Sequence, residues 1–89
     1  FEIMQRAAEE LGLPAATARE LVLQTARGAT EMAQTASIDP AELRRQVTSP
    51  GGTTQRALET LDQGGLEQLV KRAMSAAVER AEEMSNDHA

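Results

Sequence analysis

The residues best suited to chemistry are Ser49, Thr53 and Thr54, grouped around Pro50-Gly51-Gly52 in the run Val47-Thr48-Ser49-Pro50-Gly51-Gly52-Thr53-Thr54. The hydroxyls supply donors and acceptors that adjust by rotation. Pro50 has a fixed φ and no N–H, so it breaks the preceding helix. Gly51 and Gly52 can take backbone angles closed to other residues, and they present N–H groups with no side chain in the way. A glycine turn feeding a helix that starts at Thr53 leaves N–H groups pointing outward at the positive end of the helix dipole. That arrangement holds an anion. From the residues alone, the stretch reads equally as an anion cradle or as a plain interhelical turn.

Other chemistries find little support. A nucleotide P-loop needs Gly-Lys-Ser/Thr, and no lysine follows Gly52; a Rossmann G-x-G-x-x-G is absent throughout. There is no cysteine, hence no disulfide and no thiolate metal site. The single histidine, His88, sits in a polar tail and is not expected to bind metal. Asp39 and Glu42 could pass for a catalytic pair, but helix capping accounts for both. A net charge of −5 argues against a nucleic-acid footprint, which needs a concentrated basic face. No apolar run approaches the roughly 20 residues of a membrane span, and no signal peptide is visible. The expectation is a soluble, cytoplasmic protein that binds neither nucleic acid nor membrane.

The elements that position the loop are helices. Residues 1–11 are in helical rhythm from the start, with no capping residue and no initiator methionine, which reads as a helix cut in its interior. Gly12 closes it and Pro14 opens the next. The second helix is expected over Pro14–Ala36, with Ala18, Val22, Ala26 (or Thr25), Ala29, Ala33 and Ala36 as a close-packing stripe that Leu21 and Met32 widen. Gly28 lies inside it, where a second subunit's helix could cross. Asp39 as N-cap, Pro40 as first residue and Glu42 as capping-box carboxylate restart the chain for a short helix to Gln46, which delivers the backbone into Val47–Thr54. A helix over Thr53–Gln63 follows, with Gly64 as a left-handed cap. The last helix runs Leu66–Met84, its apolar face built from Leu66, Leu69, Val70, Ala73, Met74, Ala77, Ala81 and Met84, and residues 85–89 are a frayed tail. No strand pattern or internal repeat appears.

At 89 residues the chain is one small domain, and aromatics are nearly absent, with Phe1 alone. Alanine, at 16 residues, dominates the hydrophobic share. Small side chains bury little area each, at about 25 cal/mol per Å², so stability is expected to be shared with a second chain.

The run Val-Thr-Ser-Pro-Gly-Gly-Thr-Thr resembles the signature near the C-terminal end of pyrroline-5-carboxylate reductases. The flanks Leu11-Gly12-Leu13-Pro14 and Gly64-Gly65-Leu66 are similar to that family's helix connections, in the same order. The resemblance implies an all-α fold: a dimerisation domain of about five helices, of the type that follows a Rossmann domain in 6-phosphogluconate-dehydrogenase-like enzymes. Residues 1–89 would be that single helical domain, dimerising and substrate-binding, without the N-terminal dinucleotide-binding domain or the Ser-Gly-Pro helix that walls the pocket. It implies a parent enzyme that reduces 1-pyrroline-5-carboxylate to L-proline, with NADP or NAD bound by the missing domain and no cofactor bound here. By the same match Ser49, Gly51, Gly52, Thr53 and Thr54 would bind the substrate carboxylate. Thr54 would be the catalytic candidate, its hydroxyl facing the ring nitrogen. The implied partner is a second copy, a homodimer that in some members assembles into decamers. Two other readings stay open: a free-standing helical interaction module, and a small anion-binding protein that uses the loop for phosphate.

Overall fold

The computed structural model describes residues 1–35 and 37–87. Five α-helices make up the architecture of the described residues: α1 (Glu2–Glu10), α2 (Ala15–Thr35), α3 (Pro40–Gln46), α4 (Thr53–Gln63) and α5 (Leu66–Asp87). No strand occurs among the described residues. The all-α reading therefore stands. The backbone divides into two compact units, Phe1–Gln46 and Val47–Ala89.

In the first unit α1 packs on α2. Their joint is a Schellman closure: Leu13 N–H reaches Ala8 C=O at 3.2 Å and Gly12 N–H reaches Glu9 C=O at 2.9 Å. Pro14 stands one place earlier than the first helical position expected for it. Its carbonyl takes the first bond of α2, from Ala18 N–H at 2.9 Å. The alanine stripe is buried only near its start, where Ala18 is fully inaccessible and Val22 is 9% exposed. Further along, Ala26 and Ala33 are half-buried and Ala29 is exposed, while Ala36 lies outside the described residues. The reason is length. At 1.5 Å per residue, α1 covers about 14 Å of the roughly 32 Å of α2.

Asp39 caps α3 as expected, its Oδ1 accepting from Ala41 N–H at 2.9 Å and its carbonyl from Leu43 N–H at 3.0 Å. Glu42 differs from the expected capping-box role. Its carboxylate is engaged by Arg45, with Nε to Oε2 at 2.9 Å, one turn ahead rather than back at the N-cap. A cation at i+3 outcompetes a neutral backbone N–H for an exposed carboxylate.

In the second unit α4 packs on α5. Gly64 was expected in the left-handed region, but it sits at φ −78, and the left-handed residue is Gly65 at φ 81. Gly64 thus serves as the C-cap proper, donating to Thr60 C=O at 3.0 Å, and the reversal falls one residue later. The last helix runs three residues past Met84, through Ser85 and Asn86 to Asp87. With no glycine or proline to stop it, a long helix propagates through polar residues that each cost only about 0.5 kcal/mol of propensity. His88 lies outside the described residues. The expected apolar face of α5 is present but open: Leu69 is 51% exposed and Met74 66%, and no residue of α4 or α5 is buried.

Candidate functional site

Pro50 and two glycines turn the chain in a single step. The N–H of Gly52 donates to Ser49 C=O at 3.0 Å, closing a four-residue turn. Proline occupies its second position and Gly51, at φ 72, its third. This is a type II turn, whose third residue needs a positive φ. The two glycines thus do different work. Gly51 supplies the unusual backbone angle. Gly52 is in ordinary extended backbone at φ −85, ψ −179, contrary to the expectation that both would use glycine's freedom. What Gly52 supplies is space, since a Cβ there would stand 3.2 Å from Ser49 O and 3.4 Å from Ser49 Cβ.

Gly52 is also the N-cap of α4, and no side chain caps that end. The first intrahelical bond runs from Arg56 N–H to Gly52 C=O at 3.2 Å. Helix geometry therefore gives the N–H groups of Thr53, Thr54 and Gln55 no partner within the ladder. These three converge at the positive end of an 11-residue helix. Ser49 and Thr53 are exposed and Thr54 is half-buried. The amides of the glycines themselves are engaged. Gly52 N–H is held by Ser49, and Gly51 N–H donates to the side-chain carbonyl Oε1 of Gln55.

Gln55 was missed in the sequence. A signal existed: it falls three residues after the N-cap, the place from which a Gln or Glu side chain reaches back across the helix start. With Gly rather than Ser or Thr at the cap, only half of that signature was present.

Elsewhere the described residues hold no cluster of three or more His, Cys, Asp or Glu able to bind a metal. No helix of the described chain is long and apolar enough to cross a membrane. Asp39 and Glu42 are spent on the cap and on Arg45.

Comparison with known proteins agrees with the helical architecture. The chain is 48% identical over 85 residues to a pyrroline-5-carboxylate reductase of Pseudomonas aeruginosa, covering 96% of this chain and 31% of that protein. It is 36% identical over 89 residues to pyrroline-5-carboxylate reductase 2 of Bacillus subtilis, covering all of this chain and 32% of the relative. The chain thus spans about a third of the length of the curated relatives it matches. Among solved structures, a pyrroline-5-carboxylate reductase from Coxiella burnetii superposes with a TM-score of 0.87 at 48% identity, over 92% of this chain and 30% of that one. The Plasmodium falciparum pyrroline carboxylate reductase, solved with NADP bound, gives 0.86 at 32% identity, over 89% of this chain and 30% of that one. A family model described as pyrroline-5-carboxylate reductase dimerisation matches residues 1–84. With all but the last few residues inside that match, the chain belongs to the pyrroline-5-carboxylate reductase dimerisation family.

Proposed function

We propose that this chain is the helical dimerisation and substrate-carboxylate domain of a pyrroline-5-carboxylate reductase, which reduces 1-pyrroline-5-carboxylate to L-proline with NADPH or NADH in the cytoplasm. The observation that carries the reading is the type II turn at Ser49–Gly52 running directly into α4, on a chain matched to that family over residues 1–84. The turn brings a rigid backbone and the hydroxyls of Ser49, Thr53 and Thr54 to a helix start whose first N–H groups lack ladder partners. A carboxylate placed there accepts hydrogen bonds from the Thr53 and Thr54 amides and from Ser49 Oγ, with the helix dipole behind them. Gly51 and Gly52 contribute by shape, one through its φ and the other through the missing Cβ.

With the carboxylate fixed, the ring lies in one orientation. The Thr54 hydroxyl then hydrogen-bonds to the ring nitrogen, which favours attack at the adjacent carbon by withdrawing charge from the C=N bond. The residues of this chain do not fit a dinucleotide. Its glycines stand at 12, 28, 51, 52, 64 and 65, none in G-x-G spacing, and the amides of Gly51 and Gly52 are already held. Hydride chemistry belongs to the cofactor of another domain. What this chain does is bind, orient and polarise.

A second copy is the natural partner. Among the described residues of the first unit only Ala18 and Val22 are buried. Full burial of a valine contributes roughly 1.5–3 kcal/mol, whereas ordering each backbone residue costs roughly 1–2 kcal/mol. The open apolar face of α5 is the surface that a second chain would cover.

The test is Thr54→Ala in the complete protein that carries this chain. Loss of one hydroxyl from a preorganised site is expected to lower kcat/KM roughly ten- to a hundred-fold, about 1–3 kcal/mol, with folding and assembly retained. Wild-type kinetics in this variant, with pyrroline-5-carboxylate as substrate, would remove Thr54 from the mechanism. A silent Gly52→Val beside it would leave the loop a mere connector.

A further inference from the structure

We propose that Gln55 is a positioning residue, which locks the peptide between Pro50 and Gly51 in the one orientation that lets the loop receive a carboxylate. The proposal rests on the carboxylate reading of the loop. A proline followed by glycine is compatible with both type I and type II turns, and the two differ by a rotation of their central peptide. Both retain the bond between the first carbonyl and the fourth N–H. The 3.0 Å bond from Gly52 N–H to Ser49 C=O therefore does not choose between them. The N–H of the central peptide is that of Gly51. In this structure it donates to Gln55 Oε1, from the first turn of α4, while Gly51 holds φ 72.

The consequence is electrostatic. With the central N–H directed at Gln55, its carbonyl partner on Pro50 points the opposite way, away from the helix start. A flipped peptide would send the Pro50 carbonyl toward that start, setting a negative dipole at the place where an anion binds. Gln55 also keeps its own polarity aligned with this task. Once Oε1 accepts from Gly51, the amide's other end carries only donors. A single such hydrogen bond shifts a two-state equilibrium by roughly fivefold. An anion that binds only one of the two states is weakened by the fraction lost.

The experiment uses the complete protein and three variants, Gln55→Met, Gln55→Glu and Thr54→Ala, with amide hydrogen exchange at Gly51, melting temperature and steady-state kinetics on pyrroline-5-carboxylate. Methionine matches the length and helix propensity of glutamine but removes the acceptor. It is expected to speed Gly51 exchange about fivefold and to raise KM by a smaller factor, up to about threefold, because the wild-type loop is already mostly in the competent orientation. The kcat should stay within error, because the competent state turns over as before, and the melting temperature should fall by no more than about 4 °C, the scale of one hydrogen bond. Glutamate keeps an acceptor, so Gly51 protection should remain at the wild-type level. The proposal is overturned if Gln55→Met leaves Gly51 exchange or KM unchanged, or if Gln55→Glu loses as much protection as Gln55→Met. If Thr54→Ala still loses activity in that case, the carboxylate reading survives without Gln55. If Thr54→Ala is silent, that reading fails and the role of Gln55 fails with it.

Discussion

Gly52 donates its N–H to the carbonyl of Ser49 at 3.0 Å, and a Cβ on Gly52 would stand 3.2 Å from that same oxygen. The bond and the close approach are one feature, since the turn is tight because nothing separates the two residues. Its neighbour Gly51 is limited differently, by φ 72 with open space around the missing Cβ.

The two glycines should therefore fail in distinguishable ways. Gly52→Val must push Ser49 away, so the loop should lose substrate affinity by at least tenfold on the scale of a lost polar contact. Gly51→Ala meets no atom, and its cost is backbone strain of about 1 kcal/mol, for a milder loss of about fivefold. Titration of L-proline into each variant of the complete protein, followed by calorimetry, gives both numbers. Equal losses would show that space and φ are not separately required.

Ser37 occupies the left-handed region at φ 51, as the only non-glycine residue with a positive φ among those described. Asparagine tolerates that region better than serine, and a β-branched residue tolerates it worst. Ser37→Asn is expected to match or exceed the wild-type melting temperature, while Ser37→Val should lose about 1–2 kcal/mol of stability. Chemical denaturation of the two variants checks the order. A Val variant as stable as Asn would mean that the left-handed conformation is not kept in solution.

Self-association should be visible by mass alone. Sedimentation equilibrium at micromolar concentration is expected to return at least twice 9.6 kDa for this chain. Gly28 sharpens the test, because beyond its immediate neighbours and the backbone of its own helix a Cβ there meets nothing within 4 Å among the described residues. Helix propensity then favours Gly28→Ala by about 1 kcal/mol. The expected outcome is a higher melting temperature with the assembly intact. Dissociation of the variant would instead place a second copy's helix against Gly28, where a methyl group has no room.

How much of this was legible in advance depended on how local its cause was. Asp39-Pro40 set the start of α3 and Gly64-Gly65 separated α4 from α5, as read from the residues, because caps and breakers act within one turn of the chain. The all-α architecture followed from apolar periodicity and alanine content in the same way. Finer assignments slipped by one position where two neighbours could share a task, as with Gly64 and Gly65, because backbone angles are apportioned by the whole turn.

The sequence by itself determined that a Pro-Gly-Gly turn would run into a helix start, since proline and glycine constrain φ before any packing exists. It also determined that this chain has little with which to build a core. Only the tertiary structure decided that the buried positions on the stripe of α2 are confined to Ala18 and Val22 among the described residues, because coverage depends on where helices cross rather than on their patterns. Only the folded loop assigned φ 72 to Gly51 and the close approach to Gly52. And only the folded loop revealed Gln55, whose side chain reaches the Gly51 N–H because turn and helix meet at a particular angle. A side-chain hydrogen bond needs its partner placed to within a few tenths of an ångström, and sequence pattern carries no information at that scale.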